Sequence, residues 1–349
     1  MRYKNVNLEG LACHLPENVV TSDDLEQRLA PVYDRLKLPY GRLEMMSGIK
    51  ERRFWDKGVF PSEVASVAGE QAIQNSGIDR SKIGCLINAS VCRDFLEPAT
   101  ASLVHNSLKL QPDTLVFDIS NACLGVLNGM VHVANMIELG QIRAGLIVAG
   151  ENGGPLVDTT INNLLGRPDL TRNEIKSSFA SLTIGSAAVG VLLVHKKLSK
   201  SNHPLLGGFG RAATQFNDLC RGNDETGAGS ESWSPLMNTD AETMMHEGCK
   251  LAGDTWDAAK KVLGWTSDDV SHVFCHQVGQ MHRKLLYETL GLDPAKDFST
   301  LEILGNSGAA SLPSTLAFGV EKGCLKPGDK AALLGIGSGL NSLMLGVEW

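Results

Sequence analysis

The chain has no hydrophobic run long enough to cross a bilayer and no excess of positive charge. Its longest apolar runs, such as residues 187–194, are far shorter than the roughly 20 residues that a membrane-spanning helix needs. Lysine and arginine total 32 against 39 aspartate and glutamate residues, for a net charge of −7. A nucleic-acid-binding role therefore has no electrostatic support. Residues 1–7 lack the apolar centre of a signal peptide, and we expect a cytoplasmic protein.

Paired cysteine spacing is also missing. Cysteines that form zinc sites or small disulfide frameworks recur at short, regular intervals, and no CxxC pair occurs here. We therefore expect no zinc site, and no disulfides in a reducing compartment. The eight cysteines are scattered at positions 13, 85, 92, 123, 220, 249, 275 and 324.

The chain does contain an alternation of strand-like and helix-like segments. With 349 residues, 43% of them hydrophobic, it is long enough for two core units. This alternation predicts an α/β fold, with a parallel or mixed sheet covered by helices on both faces. Residues 47–54 are predicted as a charged turn. Strands are predicted at residues 3–12, 83–90, 114–117, 144–150 and 186–195, and helices at 62–76, 98–108 and 124–139, with a further helix starting at Ser22.

The second half of the chain repeats the first. Residues 77–88 resemble 264–275, residues 108–112 resemble 290–294, and residues 143–150 resemble 330–337, at offsets of 187, 182 and 187. Three matches in one order at nearly one offset predict a duplicated unit. We expect two similar halves, residues 1–198 and 199–349, packed with pseudo-two-fold symmetry. Equivalent loops then meet between the halves, which is a common place for a site.

Three of these loops carry residues suited to nucleophilic catalysis. Cys123 lies between a strand and a long helix, where unpaired N–H groups and the helix dipole favour a thiolate. His276 follows a buried strand, and Asn306 precedes a helix of small residues. Together they can provide an activated nucleophile and two hydrogen-bond donors. Each also has a structural interpretation: a buried small residue, a core histidine and a helix N-cap.

The motifs around these residues resemble those of the thiolase superfamily, in the branch of 3-ketoacyl-ACP synthase III-like condensing enzymes. The resemblance implies a five-layered α-β-α-β-α sandwich and a homodimer. It makes Cys123 the acyl-carrying nucleophile, with His276 and Asn306 binding the thioester carbonyl of the second substrate. It also implies an oxyanion hole formed by the main-chain N–H groups of Cys123 and Ser338. The matching motifs are SGIKERRF at residues 47–54, DISNACLG at 118–125, HQ at 276–277, GNSGAASLP at 305–313 and GIGSGLN at 335–341.

Glu97 departs from the pattern of the synthases, which have an aromatic residue before the proline at this point. A decarboxylating condensation forms its carbanion by losing CO₂, whereas a non-decarboxylative one must remove an α-proton with a base. A poorly solvated carboxylate can act as that base. Glu97 resembles the glutamate of OleA-type head-to-head acyl-CoA condensing enzymes, which in that family reaches the partner subunit's cysteine. Without the resemblance, a solvated carboxylate at a helix start is the simpler interpretation.

The resemblance also implies the reaction. Two fatty acyl-CoAs, which are substrates rather than cofactors, would condense through an acyl-cysteine to a 2-alkyl-3-keto acid. This step would serve long-chain olefin, other hydrocarbon or related β-lactone biosynthesis, with possible downstream enzymes as partners. No metal or cofactor is expected. Basic residues are predicted to bind the CoA phosphates: Lys50, Arg52, Arg53, Arg167 and Arg172.

Three alternatives stay open at this point. A decarboxylating 3-ketoacyl-ACP synthase III would use acyl-CoA and malonyl-ACP. An enzyme similar to 3-hydroxy-3-methylglutaryl-CoA synthase would also combine Cys and His with an upstream Glu. A non-catalytic member of the fold would act as a scaffold in a multi-enzyme assembly.

Overall fold

The computed structural model describes residues 1–222, 235–276 and 278–349. Its strands are β1 (Val6–His14), β2 (Asn18–Thr21), β3 (Glu51–Phe54), β4 (Ile83–Asn88), β5 (Leu115–Asp118), β6 (Ala144–Glu151), β7 (Ala187–His195), β8 (Leu205–Ala212), β9 (Cys220–Gly222), β10 (Met237–Thr239), β11 (His272–Cys275), β12 (Lys330–Gly337) and β13 (Asn341–Glu348). Its α-helices are α1 (Ser22–Arg28), α2 (Ala30–Leu36), α3 (Arg42–Ser47), α4 (Pro61–Ser76), α5 (Thr100–Ser107), α6 (Gly125–Glu138), α7 (Gly154–Leu165), α8 (Glu174–Ser178), α9 (Ala241–Leu263), α10 (Gln280–Leu290), α11 (Leu301–Leu304) and α12 (Ser311–Glu321). Short 3₁₀ helices span Arg80–Lys82, Ala180–Thr183, Thr214–Phe216, Pro294–Lys296 and Gly308–Ala310.

Two mixed sheets with matching topology form the framework. The first has the order β1-β7-β6-β4-β5, and the second has the order β11-β12-β13-β8. In the first, β4 runs parallel to β6, β6 antiparallel to β7, and β7 antiparallel to β1. In the second, β11 runs parallel to β12, β12 antiparallel to β13, and β13 antiparallel to β8. The predicted duplication is therefore confirmed by the strand pairing.

The halves differ at one edge. In the first sheet β5 pairs parallel with β4. At the equivalent place in the second sheet, the described residues form a single parallel bridge between Val273 and Asp297. The Cys123 turn follows β5, and the Asn306 turn follows the segment at Asp297. The two turns are thus equivalent, as the repeat predicts.

Five layers result from the packing of helices on these sheets. Helices α6 and α12 lie between the sheets, α4 and α5 cover the outer face of the first sheet, and α9 and α10 cover the outer face of the second. The central apolar cluster includes Leu127 and Met130 of α6, Leu316 of α12, Ile147 of β6 and Leu333 of β12. The order helices, sheet, helices, sheet, helices confirms the predicted five-layered sandwich. Residue 198, the predicted limit of the first half, lies in the turn after β7.

A smaller α-helical unit sits beside the layers, with its own apolar cluster that includes Leu25, Leu43 and Val157. Here one prediction is wrong, because residues 47–54 are not simply a charged turn. The second part of this segment is β3, which pairs antiparallel with β2. The sequence pattern hides this strand because its inward-facing residue is an arginine, Arg52, which is fully buried.

The other predicted elements are present with small shifts at their ends. Helix α4 is capped after Ser76 by Gly77, which is left-handed with φ of 60°. The spacing of apolar residues at positions 64, 67, 68, 72 and 73 predicts a shared buried face, but Val67 is 41% exposed. Within the described ranges, no helix is both long and apolar enough to cross a membrane.

Candidate active site

Cys123 occupies a tight turn between β5 and α6. Ala122, the residue before it, has a φ of 45°, a left-handed conformation that is uncommon for a residue other than glycine. The turn is closed by main-chain hydrogen bonds from Leu124 to Asn121 and from Gly125 to Ala122. Cys123 therefore lies just before the first turn of α6, as the sequence predicts.

The chemistry of this thiol differs from the prediction. Burial, reinforced by the charges of Glu151 and Cys220, raises the pKa of Cys123 to about 12. The expected stabilisation of a thiolate by the helix end is therefore outweighed by loss of solvation. A neutral thiol is the resting form, and its proton must leave during the acylation step.

The turn after β12 lies against the Cys123 turn. A Cβ placed on Gly337 would lie 3.6 Å from the Cys123 main-chain nitrogen. The amide of Asn341 donates to the Ser338 carbonyl and to Asn121 Oδ1, both at 3.3 Å. Asn121 in turn donates to Asn128 Oδ1 at 2.8 Å. This asparagine chain, which sequence reasoning missed, holds together the two turns predicted to form the oxyanion hole.

His276 lies at the end of β11, and its main-chain N–H donates to the Leu334 carbonyl of β12 at 3.1 Å. The side chain is buried, and its Nδ1 has no hydrogen-bond partner in the described part of the protein. Burial, with a smaller contribution from the charge of His282, lowers the pKa of His276 to about 3. The imidazole is therefore neutral near pH 7, with one ring N–H to donate. Gln277, the second residue of the predicted motif, lies outside the described residues.

Asn306 is held by hydrogen bonds of both its main chain and its side-chain oxygen. Its main chain bonds to Thr183 and Gly185, and its Oδ1 accepts the Gly308 N–H at 3.0 Å. Gly305 makes the turn possible, because it has a φ of 62° and a Cβ there would lie 2.7 Å from the Thr183 carbonyl. With Oδ1 occupied, Nδ2 is the free end of the side chain, and within the described ranges it donates to no protein acceptor.

The three predicted catalytic residues thus converge on one end of the sheets. Cys123 adjoins the end of β12, His276 follows the strand parallel to it, and the Asn306 loop is bonded to Glu151 at the end of β6. No group of His, Cys, Asp and Glu in the described residues is arranged to hold a metal ion. A neutral thiol, a neutral imidazole and an amide are suited to acyl transfer with hydrogen bonds to a thioester oxygen.

Glu97 does not join this cluster within one chain. It lies in the irregular segment 91–99 (the Glu97 segment), where it is exposed. No hydrogen-bond or ion-pair partner of its carboxylate is present among the described residues. Its neighbour Leu96 is 70% exposed and Phe95 37%. An apolar, solvent-facing tip with one carboxylate is typical of a surface that meets another molecule.

The predicted CoA-binding arginines are mostly engaged elsewhere. The prediction of phosphate binding is wrong for Arg52. Its guanidinium is buried and donates to Ser22 Oγ and the Leu182 carbonyl, so it supports the interior instead of facing a phosphate. Burial lowers the pKa of Arg52 to about 10. Arg53 is half-buried and donates to the Pro16 carbonyl. Arg167 is half-buried and paired with Glu174.

Arg172 and Lys50 are both exposed, and both have partners within the chain. Arg172 donates to the carbonyls of Leu36 and Lys37 at the end of α2. Lys50 forms an ion pair with Glu302. Exposed pairs of this kind contribute little to stability and exchange readily with a ligand. Arg53, Arg167, Arg172 and Lys50 therefore stay predictions as phosphate ligands.

Glu151 is a residue of this site that sequence reasoning missed. It ends β6 as a buried carboxylate that accepts main-chain N–H groups from two separate loops. One signal was available: a glutamate directly after seven small or apolar residues of a buried strand. A carboxylate is rarely buried without a specific set of donors.

The buried histidines predict acid sensitivity. Burial also lowers the pKa of His282 to about 4. Both folded-state values, for His276 and His282, lie below the ordinary histidine value of 6.5. Between about pH 4 and 6.5 the unfolded chain therefore binds more protons than the folded protein does. As the pH falls through this range, the free energy of unfolding decreases by about 1.4 kcal/mol per pH unit for each histidine. Above pH 6.5 this contribution is fully present.

Chemical denaturation at pH 7.5 and pH 5.0 checks this expectation. The difference in the free energy of unfolding between the two pH values should be about 2 kcal/mol smaller in His282→Gln than in the wild type. Because each protein is compared at two pH values, any change in its free energy of unfolding that the substitution causes at both pH values cancels. An equal pH dependence in the two proteins would contradict the assignment.

Comparison with known proteins agrees with this geometry. Residues 117–201 match the family model of 3-oxoacyl-[acyl-carrier-protein] synthase III, and residues 261–349 match the model of its C-terminal part. The acyl-CoA:acyl-CoA alkyltransferase of Shewanella oneidensis is 44% identical, and that of Xanthomonas campestris is 39% identical, with all of both chains covered in each case. A β-ketoacyl-[acyl-carrier-protein] synthase III of Neisseria meningitidis is 24% identical over 97% of each chain.

Solved structures of both groups superpose closely on this chain. OleA of Xanthomonas campestris with bound cerulenin superposes with a TM-score of 0.94 at 39% identity, covering 100% of this chain and 98% of that one. A form of the same protein was solved with lauric acid and lauroyl-CoA. A 3-oxoacyl-(acyl carrier protein) synthase III of Xanthomonas oryzae has a TM-score of 0.93 at 39% identity, with full coverage of both chains.

Variants of the Xanthomonas campestris protein carry a replaced cysteine and a replaced glutamate that are 26 residues apart, the separation between Cys123 and Glu97. The synthase III group supplies both matching family models, and the alkyltransferases are nearer to this chain than the Neisseria synthase. The chain therefore belongs to the family of acyl-CoA:acyl-CoA alkyltransferases, the OleA-type condensing enzymes of the thiolase fold.

Proposed function

We propose that this protein catalyses the non-decarboxylative, head-to-head Claisen condensation of two fatty acyl-CoAs to a 2-alkyl-3-keto acid. The observation that carries the proposal is the combination of a Cys-His-Asn site, in which His276 is buried and the other two are half-buried, with an exposed glutamate, Glu97, on an apolar segment. The full-length similarity to acyl-CoA:acyl-CoA alkyltransferases supports it. A decarboxylating synthase needs no base for carbanion formation, so Glu97 would have no task there.

In the first half-reaction, the Cys123 thiol attacks the thioester carbonyl of one acyl-CoA. The main-chain N–H groups of Cys123 and Ser338 hold the developing oxyanion, and CoA leaves as the thiol after taking up a proton. Because the pKa of Cys123 is raised to about 12, deprotonation and attack must be coupled. The product is an acyl thioester on Cys123.

In the second half-reaction, another acyl-CoA places its thioester oxygen between the N–H donors of His276 and Asn306. Glu97 removes the α-proton, and the two donors stabilise the enolate oxygen. The α-carbon then bonds to the acyl carbon on Cys123, and the Cys123 thiolate leaves. Hydrolysis of the resulting β-keto thioester releases CoA and the 2-alkyl-3-keto acid. No cofactor is required for these steps.

A homodimer brings Glu97 to a cysteine in this proposal. Strand β5 is the open edge of the first sheet, and its Leu115 and Val116 are 52% and 38% exposed. Phe95 and Leu96 of the Glu97 segment are exposed apolar residues as well. An uncovered edge strand with apolar side chains is a site for pairing with another chain. A second copy of the chain that binds at this surface would bring its own active site to Glu97. We expect the enzyme to be cytoplasmic and to serve olefin, hydrocarbon or β-lactone biosynthesis.

Mass spectrometry of the products formed from acyl-CoA alone tests the function. Lauroyl-CoA is a suitable first substrate, because the Xanthomonas campestris relative was solved with it. We expect a head-to-head 2-alkyl-3-keto acid, or the ketone that it yields by losing CO₂, without any malonyl donor. Product that forms only with malonyl-ACP would establish the synthase alternative instead. Turnover of acetoacetyl-CoA with acetyl-CoA would indicate the hydroxymethylglutaryl-type reaction, and absence of acylation would indicate a scaffold.

A further inference from the structure

Glu151 connects the Glu97 segment to the loop that carries Asn306. Its Oε1 accepts the N–H of Val91 at 2.8 Å and that of Ala309 at 3.1 Å. Its Oε2 accepts the N–H of Cys92 at 3.1 Å. The side chain is buried, and a Cβ on Gly308 would lie 3.1 Å from its carboxyl carbon. One carboxylate therefore fixes the start of one functional segment and the bend of another.

The rest of the Glu97 segment is anchored at two more points. Asp94 is buried and accepts the main-chain N–H and hydroxyl of Ser62. Asp118 accepts the N–H groups of Thr100 and Ala101 at 2.9 and 2.8 Å, at the start of α5. The segment is thus irregular in conformation but held at its beginning, middle and end. Between the last two anchors, the tip with Glu97 projects into solvent.

We propose that Glu151 is a positioning residue for both active sites of the dimer: it orients Asn306 in its own subunit and Glu97 for the partner subunit. This inference rests on the proposed function, in which Glu97 acts across the dimer. The physical basis is that the two loops meet on a single group, so a shift of one moves the other. Displacement of a reacting group by about 1 Å is enough to lower a rate by roughly 10²-fold.

Glu151→Gln is the informative variant. Gln has nearly the same size but only one acceptor oxygen, and its NH₂ group would face a main-chain N–H that now has no acceptor. We expect the fold to be retained. Since Oε1 accepts from both Val91 and Ala309 and Oε2 accepts from Cys92, the NH₂ group of Gln would repel the Cys92 N–H, and this displaces the side chain together with the two loops bonded to it. Glu26→Gln is a matched control, because Glu26 is equally buried and accepts the N–H groups of Gly41 and Leu43 in the α1–α3 region.

Mixed dimers separate the two roles. Pairing a Cys123→Ala chain with a Glu97→Gln chain leaves one complete site, and this dimer is the reference. In the first test dimer, Glu151→Gln is added to the Cys123→Ala chain, which supplies Glu97. In the second, it is added to the Glu97→Gln chain, which supplies Cys123 and Asn306. Doubly tagged, purified heterodimers are assayed for lauroyl-CoA condensation and for the initial release of CoA that reports acylation.

The proposal predicts condensation at least about tenfold slower than the reference in both test dimers, with acylation in the first test dimer within about twofold of the reference. Addition of Glu26→Gln in the same positions should leave condensation within about twofold. Slower condensation in only one test dimer, or an equal loss with Glu26→Gln, would overturn the proposal. If the wild type condenses lauroyl-CoA but the reference dimer does not, Glu97 does not act across the dimer. If the wild type itself does not condense acyl-CoA, the proposed function is wrong. These results are therefore distinguishable.

Alkylation of Cys123 by iodoacetamide provides a readout that a merely structural role would not change. The negative charge of Glu151 contributes to the raised pKa of Cys123, together with burial and Cys220. Removing that charge in Glu151→Gln should shift the pH profile of alkylation to lower pH while condensation becomes slower. An unchanged profile would show that the Glu151 carboxylate does not influence the Cys123 thiol and would count against the proposal.

Discussion

Glu97→Gln is expected to leave acylation of Cys123 unchanged and to slow condensation by about 10²- to 10⁴-fold, the usual contribution of a general base. Gln keeps the size and polarity of the side chain but cannot accept the α-proton of an acyl thioester. Glu97 is exposed in the single chain, and its carboxylate makes no hydrogen bond or ion pair with any residue that the structure describes, so its replacement should not disturb the fold. The wild type and Glu97→Gln should therefore have the same melting temperature.

Single-turnover kinetics with lauroyl-CoA separates the two half-reactions. Release of the first CoA with acylation of Cys123 reports the first, and formation of the keto acid reports the second. Glu17→Gln, at another exposed glutamate, is the control and should retain full activity. Full condensation by Glu97→Gln would exclude Glu97 as the base.

Mixing variants tests whether the base acts across the dimer. A purified heterodimer of Glu97→Gln and Cys123→Ala contains one site with both functional residues if Glu97 reaches the partner subunit. It should then show about half of the wild-type activity, since one of two sites is complete. If Glu97 served its own subunit, neither site would be complete and the heterodimer would be inactive.

Cys123→Ala is expected to abolish both half-reactions, with a loss of at least about 10³-fold, because the substitution removes the thiol that is proposed to carry the acyl chain. Intact-mass spectrometry after incubation with lauroyl-CoA should show one added acyl group per wild-type chain and none in the variant. Cys324→Ala, at another half-buried cysteine, should be acylated normally. An acyl adduct of the same size on the Cys123→Ala chain would show that the nucleophile lies elsewhere.

The pH dependence of this thiol adds a second check. With a raised pKa of about 12, Cys123 in the free enzyme should be alkylated by iodoacetamide at a rate that still rises with pH at pH 10. A plateau between pH 6 and 8 would indicate a thiolate stabilised by the helix end, as sequence reasoning alone suggested.

Much of the site could be predicted from the sequence because it depends on local order and on repetition. The strand–turn–helix pattern located Cys123, and the repeat offsets placed Asn306 at the equivalent turn of the second half. Buried strands could be recognised from their apolar runs. Arg52 shows the limit, since a buried arginine in a short strand has the same sequence signature as a charged turn.

The sequence by itself determined the duplicated α/β architecture, and it supplied the positions of the residues that we propose to be catalytic, with the Glu97 carboxylate among them. Only the tertiary structure decided the protonation states of Cys123 and His276, because loss of solvation depends on every segment packed around a group. It alone revealed Glu151, whose hydrogen-bond donors Val91 and Ala309 are 60 and 158 residues away in the chain. Contacts over such separations leave no periodic signal in the sequence, and they exist only once the two sheets have packed.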